Sequence, residues 1–301
     1  MNLMVTGATG FIGSVLTDRL ASRGHALTLL MRSSRQQPVQ PGRRWITWTP
    51  GAGGEWESLV DGADGIINLA GEPIAARRWT RAQKQKILAS RVETTEAIVR
   101  AIDKAKNKPA FLLNASAIGY YGDRGDETIT EQSSPGVGFL AETARKWEEA
   151  ARKAEPMGVR VVYLRIGIVL GRGGVLAKML PPFRFFLGGP LGTGKQWVSW
   201  IHMDDQIDLM MYVLEHPEVS GPVNATAPNP VTMKDFCRTL AKVLHRPCWL
   251  PVPALVLRLA LGEMADVILT GQKVLPAVAQ KLGYRFRYPH LEGALRACLP
   301  F

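Results

Sequence analysis

Glycine stands at every third position of Gly7-Ala8-Thr9-Gly10-Phe11-Ile12-Gly13, between an apolar strand (NLMVT) and a helical stretch (SVLTDRLASRG). There Gly7 permits a sharp turn out of the strand, Gly10 lets a ligand approach the backbone, and Gly13 lets the helix lie against the strand. The amides from Thr9 through Phe11 and Ile12 are then left for an anion at the front of the helix, where the helix field also favours negative charge. The chemistry these residues can do is to cradle a pyrophosphate. The strand ALTLLMR that follows completes a unit of the kind that binds a nicotinamide dinucleotide.

That second strand ends on Arg32, Ser33, Ser34 and Arg35 with no carboxylate nearby. A carboxylate there would grip the ribose hydroxyls of NAD, whereas arginine and serine suit a ribose 2′-phosphate. NADP, or NADPH when reduced, is therefore expected ahead of NAD. Open α/β sheets bind ligands at the carboxyl ends of their strands, which adds Leu69, Ala70 and Gly71 after the fourth strand, Ala115 at the fifth and Arg165 at the sixth.

Four side chains near those ends are the catalytic candidates. Glu72, directed by the adjoining Pro73, is a positioned carboxylate; Ser116 offers a hydroxyl; Tyr120 and Tyr121 offer phenols. Plainer readings stand beside these: Glu72 as a salt-bridged surface residue, Ser116 as a ligand-binding hydroxyl, and Tyr121 as packing against cofactor. Arg77, Arg78 and Trp79 could wall an anionic substrate, or seal a helix beginning near Thr80. Gly188-Gly189 and Gly192 to Lys195, with Trp197 and Trp200 nearby, read as a substrate loop or as an aromatic hinge.

These residues need a scaffold, and the hydrophobic periodicity supplies it. Further strands are predicted at 45–49, 65–70, 110–116 and 159–165, with helices over 81–106 and 140–155 between them. Strands separated by helices give an α/β, Rossmann-type, doubly wound parallel sheet. After Gly171 glycine, proline and aromatics mix, and three helical patterns follow at 232–244, 254–261 and 270–282. The expected division is 1–170 for the nucleotide domain and 171–301 for a smaller carboxy-terminal substrate-region domain, later segments being able to return to the sheet.

With 46% apolar and 21% charged residues in 301, a folded globule is expected. Cys237, Cys248 and Cys298 have no paired spacing, so neither a disulfide framework nor a metal site is indicated. The formal charge of +11 is spread along the chain without a basic block, which fits a polyanionic small molecule and argues against nucleic acid. No apolar run reaches membrane-spanning length and no leader pattern opens the chain, so a cytoplasmic protein without a membrane partner is expected. A homodimer is compatible with the sequence.

The motifs GATGFIG, INLAGEPI, ASAIGYYGD, LRIGIVLG and WIHMDD, in this order, resemble the extended short-chain dehydrogenase/reductase superfamily, which includes sugar-nucleotide epimerases. The longer stretches NLAGEPIAARRWT, GYYGD, the W-E-E-A-A helix, LPPFRFFLGGPLGTGKQWVSWIH and GQKVLP are similar to an uncharacterised epimerase-like subfamily of atypical members. The resemblance implies an NADP-binding fold, a separate substrate region and a small-molecule substrate that it does not name. It also implies a tyrosine and a lysine four residues apart as the proton-transfer pair, and here the sequence departs: Phe139 and Thr143 stand near those positions. Ala117 falls at the superfamily's supporting hydroxyl, with Ser116 one residue earlier. His202 and Asp205 match a His-x-x-Asp pattern, read as a tie between the second domain and the sheet. Two functions remain open: an oxidoreductase or epimerase with a different proton donor, or a cofactor-binding regulatory or redox-sensing protein without hydride chemistry.

Overall fold

A computed structural model describes residues 1–32 and 40–299. The strands in chain order are β1 (Asn2–Thr6), β2 (Ala26–Met31), β3 (Arg43–Thr47), β4 (Gly65–Asn68), β5 (Phe111–Ala117), β6 (Thr128–Ile129) and β7 (Arg160–Ile166). They continue with β8 (Ile168–Leu170), β9 (Trp197–Val198), β10 (Trp200–His202), β11 (Gly221–Ala225), β12 (Val231–Thr232) and β13 (Lys273–Val274). The helices are α1 (Phe11–Ser22), α2 (Glu55–Ser58), α3 (Arg81–Lys104), α4 (Phe139–Arg152), α5 (Gly174–Arg184) and α6 (Met203–Glu215). Beyond them lie α7 (Met233–Leu244), α8 (Ala254–Leu261), α9 (Asp266–Leu269), α10 (Ala277–Lys281) and α11 (Leu291–Cys298).

One sheet runs β3-β2-β1-β4-β5-β7-β11, and each neighbouring pair is parallel. Alternation along the strands clothes both faces. Leu3, Val5, Leu27 and Leu29 pack towards α1 and α6, while Met4, Leu30 and Ile66 pack towards α3. The strand order reverses between β1 and β4, which opens a crevice at their carboxyl ends. This is the α/β, doubly wound Rossmann-type architecture expected from the sequence.

A smaller core follows, in which α5, α7 and α11 close around Trp200, Phe236 and Leu240. β11 brings the later chain back to the sheet beside β7. The single helix expected over 270–282 is instead β13 and α10. A Cβ on Gly271 would lie 2.0 Å from the Trp197 carbonyl oxygen, so the backbone is drawn in there, and Pro276 starts a new helix. Among the described residues no helix is long and apolar enough to cross a membrane.

Candidate functional site

The glycine turn has the geometry its spacing implies. Gly7 sits at φ +69°, where a Cβ would lie 2.6 Å from the Leu69 carbonyl oxygen; a Cβ on Gly13 would lie 2.1 Å from the Gly7 carbonyl oxygen. Gly10 caps α1 without a side chain, and no acidic residue occupies the first turn. The amides of Phe11, Ile12 and Gly13 therefore find no acceptor among the described residues, as the front of a helix requires. Uncapped donors, a helix field and backbone stripped of Cβ atoms fit a pyrophosphate.

Thr9 is exposed and Ile12 packs on the core. The Phe11 ring turns the other way, onto Gly171, Gly173 and Gly174, where added Cβ atoms would come within 3.0–3.1 Å of it. Its contribution to the crevice is its amide.

Beneath the crevice lies a buried polar network that sequence reasoning missed. The Thr6 hydroxyl donates to Asn68 Oδ1 (2.6 Å), and Asn68 Nδ2 donates to Thr95 Oγ1 (2.9 Å) and Asn114 Oδ1 (2.7 Å). Trp147 Nε1 donates to the same Thr95 hydroxyl at 2.9 Å. The Ala70 amide reaches Thr6 Oγ1 at 3.3 Å, so the network fixes the Leu69-Ala70-Gly71 exit from β4. The available signal was asparagine inside two apolar strands, a residue that strands ordinarily disfavour. Ala115 is buried in β5 and its carbonyl accepts from Asn114. Arg32 is exposed at the end of β2, and Ser33 lies outside the described residues, as do Ser34 and Arg35.

Three of the expected site residues belong to a different structure. Glu148 of α4 receives Arg165 Nε and Nη2, each at 2.8 Å, and the Ser116 hydroxyl at 2.6 Å. Arg165 Nη1 donates to the Tyr121 hydroxyl (2.9 Å), which donates to Asn224 Oδ1 (2.7 Å). Burial pushes the Tyr121 phenol up to about 12, against the opposing pull of Arg165. Ser116, Tyr121 and Arg165 thus lock β5, α4, β7 and β11 together, where the sequence suggested catalysis for the first two and cofactor contact for the third. The cause is side-chain direction: near a strand end a one-residue step reverses the face, and Ser116 points at Glu148 while Ala117 faces the cavity. Tyr120 is half-buried, its ring covered by the Arg165 guanidinium 3.6 Å from its centre.

A cavity of about 690 Å³ opens beside the carboxyl ends of β5 and β7. Its nucleotide-domain wall includes Ala117, Ile118, Gly119 and Gly167; α3 and α4 supply Lys84, Ile87, Arg91, Phe139 and Trp147. The far wall comes from Trp197, Ser199, Glu263, Asp266 and Thr270. Lys84 Nζ pairs with Glu263 Oε2 at 2.6 Å and lies 5.7 Å from the centre of the Phe139 ring. Thr143 also lines the cavity, but its hydroxyl donates to the Phe139 carbonyl at 2.7 Å.

Arg91 lies over the Trp147 ring and donates through Nη1 to the Glu72 and Ile87 carbonyls. Desolvation lowers its guanidinium to about 10, more than Glu72 restores. Glu72 itself accepts from Gln83 at 3.4 Å and is partly buried beside the cavity rather than in its lining. Lys84, Ile87 and Arg91 recur at i, i+3 and i+7, a face of α3 legible in the sequence.

The remaining candidates hold the second region in place. His202 Nδ1 caps α6 by accepting from the Asp204 amide at 3.1 Å, and Asp205 accepts from the Arg287 and Tyr288 amides at 2.6 and 2.8 Å. Arg78 donates to the Leu259 carbonyl at 3.0 Å. In the glycine-rich loop, Gly189 packs on Leu250 and Trp200 is fully buried; Trp197 alone of its two tryptophans lines the cavity.

The family model described as "NAD dependent epimerase/dehydratase family" matches residues 3–225. The chain belongs to that family. A second model, a domain of unknown function (DUF1731), matches residues 252–298. The epimerase family protein YfhF of Bacillus subtilis is 46% identical over 98% of this chain and 97% of its own length. The crystal structure of human epimerase family protein SDR39U1 (isoform2) with NADPH is 36% identical with a TM-score of 0.86, covering 99% of both chains. The resemblance to an epimerase-like subfamily read from the motifs is thereby confirmed, and the fold is one that binds NAD or NADP.

The expected preference for NADP needs correction. Several solved structures similar to this chain contain NAD, among them MoeE5 with UDP-glucuronic acid (21% identity, TM-score 0.80, 99% of this chain and 97% of that one), while the human SDR39U1 structure contains NADPH. Either dinucleotide suits the fold, so the bare absence of a carboxylate beside Arg32 does not choose between them.

Proposed function

We propose that this protein is an NAD- or NADP-dependent, epimerase-like oxidoreductase acting on a small molecule in the cavity, and that Lys84 moves the proton a helix tyrosine would otherwise move. The observation carrying this reading is the position of Lys84 Nζ, in the cavity wall, 5.7 Å from the ring of Phe139. Phe139 stands near the position of the superfamily's tyrosine, and Lys84 is a cation beside that ring.

The amides of Phe11 and Ile12 with Gly7, Gly10 and Gly13 would hold the pyrophosphate, and Leu69-Ala70-Gly71 would pass along a ribose. When bound, the dinucleotide supplies or accepts a hydride. The Lys84 ammonium, held by Glu263, gives a proton to a carbonyl oxygen as it becomes an alcohol and recovers one in the reverse direction. Phe139, Trp79 and Trp147 keep water from the reacting atoms. Glu72 serves here through Arg91, whose Nη1 its carbonyl fixes.

The second reading, a cofactor-binding regulatory or redox-sensing protein, draws on the occupied hydroxyls of Ser116, Tyr121 and Thr143. Oxidation of NADH and NADPH, followed separately over panels of aldehydes, ketones, quinones and sugar nucleotides, decides between them. Turnover with some member, reduced at least about a hundredfold in Lys84→Met with cofactor affinity unchanged, is expected. Saturable cofactor binding without turnover across the panels overturns the enzyme reading and favours the second.

A further inference from the structure

Large apolar side chains are exposed in a concentrated way that neither the cavity nor the crevice uses. Phe185 (74% exposed), Phe186 and Leu187 close α5, and Trp249 (62%) and Leu250 lie next to them. The two segments are laced by backbone bonds: Trp249 and Leu250 amides donate to the Gly188 carbonyl, and Val252 donates to Pro190. α8 then leaves this scaffold as ALVLRLAL, with no residue fully buried and with Leu255 (67%), Val256 and Leu259 (71%) outward. Exposed apolar surface of this extent ordinarily marks a contact.

The aromatic edge is built rather than incidental. Phe186 occupies the left-handed region at φ 63°, which a bulky side chain adopts only at a cost. Trp249 Nε1 holds it there by donating to the Phe186 carbonyl at 2.9 Å, and the Arg246 guanidinium lies 4.7 Å from the Phe186 ring centre. The backbone cost and the exposure of the ring are thus held in place by named contacts.

Charge selects the occupant. Residues 176–187 and 245–261 carry Lys178, Arg184, Arg246 and Arg258 and no carboxylate. Arg258 pairs with Asp266 outside those segments, and Lys178 donates to the Ala75 carbonyl. A second copy would offer these segments the same cations and no carboxylate from the same segments. A layer with negative headgroups above apolar chains matches cations, aromatics and aliphatics at once. We propose that the face formed by the end of α5, Trp249-Leu250 and α8 docks onto an anionic lipid bilayer. Such docking needs no spanning helix, and among the described residues there is none.

The test is flotation of the full chain with vesicles of phosphatidylcholine, with and without phosphatidylglycerol, at low and high salt. The wild type is expected to float with the anionic vesicles at low salt, and binding should weaken at least about tenfold in Arg184→Glu/Arg246→Glu. Phe185→Ser/Leu255→Ser/Leu259→Ser should stay with the pellet while its thermal midpoint is unchanged, because all three positions are exposed. Failure of the wild type to float with either vesicle overturns the proposal, as does flotation of the apolar variant equal to wild type. A wild-type dimer in solution that the apolar triple variant converts to monomer overturns it too, by making this face an interface between copies.

Discussion

Lys84 on α3 and Glu263 in the short turn after α8 form a 2.6 Å ion pair that joins the nucleotide-binding part of the chain to the carboxy-terminal region across the cavity. Their side chains are 32% and 61% exposed, so solvent screens the pair and its share of stability is below about 1 kcal/mol. Glu263→Gln should therefore leave the thermal midpoint nearly unchanged. On the proposed mechanism it nevertheless frees the Lys84 ammonium from its fixed place, and turnover should fall while cofactor affinity holds. Equal rates for Glu263→Gln and wild type would remove the pair from the chemistry.

Tyr121 gives a prediction of the opposite kind. Its hydroxyl is buried between Arg165 and Asn224, so Tyr121→Phe should cost about 1–3 kcal/mol in urea denaturation by leaving those partners short of a bond. Turnover per folded molecule should persist. Loss of activity without loss of stability would return the phenol to the catalytic machinery.

The Glu148–Arg165 pair should behave as a buried one. Both side chains are at most 5% exposed, and Glu148→Gln leaves the guanidinium without its counter-charge, at about 3–5 kcal/mol. Glu148→Gln/Arg165→Met removes both charges and should be more stable than Glu148→Gln alone. A double variant weaker than the single one contradicts this account of the pair.

His202 sets a pH dependence. Its burial lowers the imidazole below its ordinary value of 6.5, with Asp204 opposing and Arg287 adding to the shift. The unfolded chain then takes up a proton at a higher pH than the folded one. The stability associated with neutral His202 is present above pH 6.5 and is lost as pH falls below it. His202→Asn keeps a capping acceptor for α6 and should flatten the slope of unfolding free energy against pH in that window. Burial raises the Asp205 carboxyl above 3.8, so its contribution has the opposite sign, present below pH 3.8 and lost as pH rises through the folded-state value. An unaltered slope in His202→Asn would assign the dependence elsewhere.

How much of this was legible in the chain follows from the range of the interactions. The glycine turn could be read from residues 7–13 because its constraints are local: a left-handed backbone at Gly7 and the close approach of Gly13 to Gly7. The strands separated by helices, and with them the doubly wound class, were legible for the same reason. Ser116, Tyr121 and Arg165 were not, since the partners that fix them, Glu148, Asn224 and Glu131, come from other elements, up to 103 residues away. One clue was present: Glu148 shares a helical face with Ala144, Trp147 and Ala151, and a carboxylate on a buried face demands a cation. The cavity was hidden in another way. Its two walls meet only when α3 and the 263–272 segment are brought together, and the Gly271 approach to Trp197 that shapes the far wall falls inside a stretch whose pattern reads as one helix over 270–282.

The central claim is that unpartnered amides at the front of α1 hold two linked phosphates. Titration of the purified protein with NADH and with NADPH, read by fluorescence of the bound nicotinamide, tests it most directly, with Gly10→Glu as the partner variant. Saturable binding of at least one dinucleotide, weakened at least about a hundredfold by a carboxylate placed among those donors while the fold is kept, is the predicted result. Absence of saturable binding by either dinucleotide, or equal affinities for wild type and Gly10→Glu, would contradict it.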